Sequence, residues 1–329
     1  MHRRKFLARL SWCLLAAPFG AIAQPASGAP RIGFLYFGSK DSAIRTGRYA
    51  AFLEGMRKLG YVAGKDFVLE ERFAGGDTEV LRAQAAELAG LNVKMIVATG
   101  TVVLSEVQRT TRSIPIIATV TSDPVGQGLA ASLARPGGNV TGFYDSSIEL
   151  VGKQLELLVA VAPRMSRVGV LSNPSNKSHA GRLKRLESFA QKSRVQVQPW
   201  ECRSPGDIER AFADMARNGT NAVMILADPF FVQQAGQIAE LALRHQMPSI
   251  ALTRDYVEAG GLMSYGEDLI DNFRLAAGYV DKILKGAAPG ELPFARTPRI
   301  ELAINSKTAR TMNLKMPPEL LLRADRVIE

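Results

Sequence analysis

RIGFLY at Arg31–Tyr36 returns as RVGVLS at Arg167–Ser172, the first sign of a duplicated architecture. The later elements repeat in the same order. VKMIVA at Val93–Ala98 is answered by AVMILA at Ala222–Ala227, and IPIIAT at Ile114–Thr119 by MPSIAL at Met247–Leu252. VTGFY at Val140–Tyr144 is answered by GLMSY at Gly261–Tyr265. The offsets drift, as loop insertions between equivalent elements produce. Amphipathic helical stretches fill the intervals: Arg48–Leu59 stopped by Gly60, Thr78–Ala89 followed by Gly90, a helix from near Thr101 and a short one after Pro124. Apolar runs alternating with such helices make a parallel sheet covered by helices. The repeat makes two of them: an α/β protein of two similar open parallel-sheet lobes.

The chain after the second lobe is too short for a third. It reads as a helix over Asp271–Lys285, a Pro/Gly-rich loop, a strand over Arg299–Ile304 and a helix over Lys307–Met312. The helix is expected to return to lobe one and the final segment to lobe two. The lobes then comprise residues 30–145 with 266–298, and 146–265 with 299–329. Crossings near Asp145–Ile148, Tyr265–Asp268 and Pro298–Leu302 form a hinge, and hinge closure around a ligand is an established kind of motion.

The first 23 residues read as a cleaved secretory signal. Arg3, Arg4, Lys5 and Arg9 precede an apolar stretch from Leu10 to Phe19, and Ala21-Ile22-Ala23 makes an Ala-x-Ala cleavage site. The apolar stretch is shorter than the roughly 20 residues that span a bilayer. Trp12 stands before Cys13, where a lipid-anchor signal needs a small residue. The expected mature protein is therefore soluble and periplasmic. Cleavage removes four basic residues and no acid, taking the net charge from +10 to +6. The remaining basic residues are scattered except at Lys177, Arg182, Lys184, Arg185, Lys192 and Arg194, which read as the solvated face of a helix. No nucleic-acid reading module accompanies them. Cys202 is the one cysteine left, so no intramolecular disulfide forms.

Ligands of open α/β sheets bind beyond the carboxyl ends of the strands. In lobe one those loops carry Tyr36, Phe37, Thr99, Gly100, Thr101, Thr121, Ser122, Asp123 and Tyr144. In lobe two they carry Ser172, Asn173, Asn176, Glu201, Asp228, Phe230, Phe231 and Tyr265. Hydroxyls, amides and aromatics in this mixture suit a small polar ligand with an apolar or aromatic body. Thr99-Gly100-Thr101 has two readings that stand side by side: free backbone N–H groups that hold a carboxylate, or an ordinary helix start with glycine for the turn. Asp123-Pro124 and Asp228-Pro229 read first as helix initiation, with Asp capping and Pro following. Catalytic patterns fail. Gly33–Lys40 is an imperfect phosphate loop, and Gly126–Ala131 resembles a dinucleotide fingerprint but lies too far beyond its strand. His179 and His245 lack metal-ligand spacing, and His245 reads as a helix end. No cofactor, metal or catalytic group is expected.

Four stretches carry a family resemblance: Thr121–Tyr144 (TSDPVGQGLAASLARPGGNVTGFY), Ala227–Phe231 (ADPFF), Ala259–Gly266 (AGGLMSYG) and Pro317–Glu329 (PPELLLRADRVIE). From about Arg31 onward the chain resembles the ABC-transporter substrate-binding family that includes tryptophan-binding, TrpX-type proteins. The resemblance implies a type I periplasmic-binding-protein fold, and delivery of a solute to a permease and its ATPase; the protein itself is expected to be a monomer. It also implies ligand contacts from Thr99–Thr101 and Ser122-Asp123 in lobe one, and from Ser172, Asn173, Asn176, Asp228 and Tyr265 in lobe two. An amino acid, or another carboxylate-bearing or aromatic metabolite, is the expected solute. Ala251-Leu252-Thr253-Arg254 departs from the bulkier, Trp-containing stretch of many relatives, and this loop faces the cleft. A periplasmic sensor for a membrane signalling protein is the other role this fold allows; a nucleotide-dependent enzyme would rest on Gly126–Ala131 alone.

Overall fold

The computed structural model describes residues 28–145, 147–297 and 299–329. The expected signal segment, its cleavage point and Cys13 lie outside the described residues, as do Ser146 and Pro298 at two expected crossings.

The first half runs β1 (Arg31–Tyr36), α1 (Lys40–Arg45), α2 (Arg48–Lys58), β2 (Val68–Phe73), α3 (Thr78–Gly90), β3 (Met95–Thr99), α4 (Gly100–Thr110), β4 (Ile116–Ser122) and β5 (Val140–Asp145). The second runs α5 (Ser147–Val161), β6 (Arg167–Ser172), α6 (Ser178–Ser193), β7 (Gln196–Glu201), α7 (Pro205–Arg217), β8 (Val223–Ile225), α8 (Pro229–Gln233), α9 (Ala235–Arg244), β9 (Ser249–Ala251), α10 (Asp255–Glu258) and β10 (Met263–Glu267). The end consists of α11 (Leu269–Leu284), β11 (Ala295–Arg296), β12 (Ile300–Asn305), α12 (Ser306–Thr311), α13 (Pro318–Arg323) and β13 (Arg326–Ile328).

One sheet has the order β11-β5-β4-β3-β1-β2 and the other β13-β12-β10-β9-β8-β6-β7. Strand for strand, 5-4-3-1-2 is repeated as 10-9-8-6-7, so the sequence repeat is a structural one. All pairings are parallel except β10 with β12. The central strands β3 and β4 are buried along their whole length, as a sheet covered on both faces requires. The repeat reaches single residues. A Cβ on Gly33 of β1 would stand 3.2 Å from Ile96 and 3.3 Å from Leu88 of α3; one on Gly169 of β6 would run into Met215 of α7. Glycine in this place lets a helix lie close on each sheet.

The chain crosses between the sheets after β5, after β10 and after β11. α11 packs on α2, β4 and β5 of the first sheet, while β12 and β13 complete the second. Among the described residues no helix is long and apolar enough to cross a membrane.

Two local features shape the cleft. β4 has one residue more than either neighbour: the register shifts after Ala98 against β3 and between Ala118 and Thr121 against β5. Bulges of this kind re-aim side chains at binding sites. The second feature corrects an expectation. No helix follows Pro124; residues 124–128 are turns. Asp123 has φ +43° and accepts the Gly126 N–H at 2.9 Å, and Gly128 has φ +70°. Its carboxylate thus closes a tight turn, and the two glycines that follow keep the chain from continuing as a helix.

Candidate functional site

The C-terminal strand ends of the two sheets face each other across a cavity of about 90 Å³. The ends of β1, β3 and β4 with the start of α4 wall one side. The β8–α8 and β9–α10 segments wall the other. The lobes touch around it. Gln233 Nε2 donates to Ser42 Oγ at 3.0 Å, Arg48 pairs with Asp255, and Arg182 donates to Ser122. A single apolar cluster, including Phe37 and Val103 from one lobe and Phe230 and Phe231 from the other, runs through both. This is a closed conformation.

The start of α4 forms part of lobe one's wall. Thr99 holds the N-cap position in extended conformation, yet its hydroxyl is bonded to that of Thr119 at 2.6 Å and caps nothing. The bulge in β4 places Thr119 for this. Gly100 has φ +83°, a conformation that costs other residues strain, and a Cβ there would lie 3.0 Å from Pro229 Cγ of the opposite lobe. The first backbone N–H groups of a helix have no partner within it. Among the described residues no N-cap side chain supplies one, and the positive end of the helix dipole lies at the cavity wall. Thr101 stands beside them, its hydroxyl 3.4 Å from Gln127 Nε2.

Opposite stands the start of α8, which is closed by its own residue. Asp228 Oδ1 accepts the Phe230 N–H at 2.8 Å and Asn173 Nδ2 at 3.2 Å, and Oδ2 accepts Asn176 Nδ2 at 2.8 Å. A carboxylate accepts about four hydrogen bonds, so one direction of Oδ2 is left over. Burial pushes this carboxyl above its usual range, and the two asparagines, the Phe230 N–H and Arg182 oppose that shift. His179 braces the group from behind: its Nδ1 accepts the Asn173 N–H at 2.9 Å and its Nε2 lies 3.0 Å from the Ala227 carbonyl. Those partners fit the neutral ring protonated at Nε2. Burial, with Arg182 nearby, pulls its pKa down to about 3.

Two arginines complete the walls. Arg48 donates to the Tyr36 hydroxyl at 2.9 Å and to Asp255. Burial alone would lower its pKa, but Asp255 and Tyr36 outweigh that and raise it. Arg182 donates to the Ala227 carbonyl at 2.7 Å and to Ser122, which itself donates to Asp145 at 3.0 Å. Arg182 does not share the solvated helix face expected of it: it is 2% exposed, whereas Lys177, Lys184, Arg185, Lys192 and Arg194 are exposed.

Of the residues expected at the site, Tyr36, Phe37, Thr99, Gly100, Thr101, Thr121, Ser122, Asn176, Asp228 and Phe231 line the cavity. The others do not. Asp123 closes its turn at the surface and Tyr144 packs against the core below. Ser172 is 3.4 Å from the Trp200 carbonyl, and Asn173 serves Asp228. Phe230 packs on Phe231 with ring centroids 5.3 Å apart, and Tyr265 lies against the core of lobe two. Glu201 ends β7 exposed. Sequence reading missed Arg48, Arg182, Gln233 and Tyr256, which line it too. For the arginines a signal existed. Arg182 shares its buried helix stripe with His179, Leu186 and Ala190, and Arg48 shares one with Ala51, Phe52 and Met56.

Known proteins carry the same architecture. The chain is 24% identical over 264 residues to a tyrosine-binding protein of Clostridioides difficile, covering 80% of this chain and 76% of that one. It superposes with a TM-score of 0.84 on the crystal structure of an ABC domain in complex with L-Trp from Streptococcus pneumonia, at 24% identity over 91% of this chain and all of the other. On the ligand-free, open structure of a substrate binding protein with adhesive properties from Clostridium difficile the TM-score is 0.64, at 22% identity over 91% and 99% of the two chains. Residues 32–328 match the family described as ABC transporter substrate binding protein. The chain belongs to that family, whose members are not enzymes but capture small solutes outside the cytoplasm for a permease and its ATPase.

Proposed function

We propose that this protein, after removal of a signal segment near Ala23, binds an α-amino acid with an aromatic or other bulky apolar side chain and hands it to an ABC importer. One observation carries this reading: α4 places its uncapped first turn, Gly100 and Thr101, on a cavity that Phe37, Val120, Ile225, Phe231 and Leu252 also line. That arrangement matches a carboxylate attached to an apolar body. The Thr101 hydroxyl stands beside the N–H groups of that turn and is the side-chain donor placed to assist, since Thr99 is bonded to Thr119 and Ser122 donates to Asp145. The ligand ammonium takes the remaining direction of Asp228 Oδ2, and Phe37 and Phe231 flank the side chain. L-Trp and tyrosine, the ligands named for two similar proteins, have this chemistry.

Calorimetry with L-tryptophan, L-tyrosine, the matching amines tryptamine and tyramine, and galactose tests it. The account expects binding of at least one amino acid and loss of about 100-fold or more in affinity without the carboxylate, since hydrogen bonds to a charged group contribute about 1.5–3 kcal/mol each. Equal binding of amine and amino acid, or binding of galactose alone, refutes it.

A further inference from the structure

Arg48 and Arg182 are built alike and point in opposite directions across the cleft. Arg48 opens α2 in lobe one and is 4% exposed. One arm of its guanidinium is held within the lobe by the Tyr36 hydroxyl at 2.9 Å; the other donates to Asp255 at the start of α10 in lobe two. Arg182 lies in α6 of lobe two. One arm is held within that lobe by the Ala227 carbonyl at 2.7 Å; the other donates to Ser122 in β4 of lobe one and stands 3.7 Å from Asp145. In both cases a neutral acceptor parks the arginine, and the partner across the cleft departs when the lobes separate. The parked, planar fork is already oriented, so closing it freezes little additional side-chain motion. Burial in the closed cleft also shields the pairs from salt better than surface ion pairs are shielded.

We propose that Arg48 and Arg182 form a reciprocal interlobe latch: positioning residues whose cross-cleft bonds exist only in the closed state and set its population. Asp255 is the counterpart of Arg48, and Ser122, backed by Asp145, that of Arg182. The latch explains why two large cations are buried beside a site whose proposed ligand needs neither of them. It rests on the lobes closing over a solute, not on which solute that is.

Interlobe distances by pulsed electron spin resonance test it. Spin labels go on Lys58→Cys in α2 and Arg210→Cys in α7, both exposed positions, in a chain with Cys13 changed to Ser; Cys202 is buried. In solute-free protein the closed, short-distance population should fall about ten-fold in Asp255→Asn and in Arg48→Gln, and no further in the double variant, because both remove one contact. Ser122→Ala leaves Arg182 parked on Ala227 and should lower the population several-fold, multiplying with Asp255→Asn. An unchanged population in the single variants, or losses that multiply between Arg48→Gln and Asp255→Asn, overturns the latch. Because these populations are read without solute, failure of L-tryptophan and L-tyrosine to shift the distances would count against the amino-acid reading alone.

Discussion

The starts of α4 and α8 occupy equivalent places in the two lobes, each following the strand third in its repeat, and they meet across the cleft at Gly100 and Pro229. In lobe two the helix start is self-sufficient. Asp228 caps it, Asn173 and Asn176 saturate most of the carboxylate, and His179 fixes the backbone beside it. In lobe one the equivalent start is left unfilled: Thr99 turns its hydroxyl to Thr119, and Gly100 keeps the approach clear of any side chain. One topology thus yields a self-capped helix start in lobe two and an uncapped one in lobe one, the proposed seat of the carboxylate. The difference lies in about three residues on each side, not in the fold.

The most severe way to break this contrast is to make lobe one imitate lobe two. Thr99→Asp puts a carboxylate at the N-cap of α4, where the extended backbone suits it. Affinity for the cognate amino acid should fall about 100-fold or more, since the new carboxylate takes the seat. The added cap roughly offsets the lost Thr99–Thr119 bond, so the melting temperature should shift by only a few degrees. Calorimetry and thermal melting read the two effects separately.

Asp228→Asn tests the other wall. Asn caps as well as Asp, but its amide nitrogen would face the Asn176 Nδ2 donor, so stability without ligand should fall by about 1–3 kcal/mol while the helix start persists. Affinity for an amino acid should fall roughly ten- to hundred-fold as its ammonium loses a charged partner, while a carboxylate lacking the ammonium should be spared. Unchanged affinity for the amino acid in this variant would mean that the carboxylate is purely structural.

A third test uses the brace behind Asp228. His179 has its pKa at about 3 in the folded protein against an ordinary 6.5. Above 6.5 both folded and unfolded chains carry it neutral and its contribution is fully present. Between 6.5 and about 3 the unfolded chain takes up a proton that the folded one refuses. Stability therefore falls as the pH falls, by about 1.4 kcal/mol per unit. His179→Gln should flatten that slope in denaturant titrations at pH 4 to 7; an unaltered slope would place the acid sensitivity elsewhere. The smallest effect expected is at the end of α8: Gln233→Ala removes the bond to Ser42 and should speed ligand release only a few-fold in stopped-flow measurements.

Much of the fold was legible because buried parallel strands announce themselves as unbroken apolar runs, and here the runs come twice in the same order. The capping role of Asp228 was legible for a local reason, Asp followed by Pro. The same dipeptide misled at Asp123, where Gly126 and Gly128 turn the chain before a helix can start. Phe231 faces the cavity and Phe230 the core because packing, not sequence, sets the rotation of a five-residue helix. Arg48 and Arg182 escaped notice because charge outweighed periodicity: each sits on the apolar stripe of its helix, and a buried arginine is read as such only once its partners are in place.

Whether the solute's carboxylate sits on the start of α4 is decided by a crystal structure of the protein grown with whichever amino acid binds in calorimetry. Carboxylate oxygens should lie within hydrogen-bond reach, about 2.7–3.2 Å, of the Gly100 and Thr101 backbone nitrogens, with the side chain between Phe37 and Phe231. A carboxylate held instead by Arg48 or Arg182, with the α4 start facing only water, would contradict that placement.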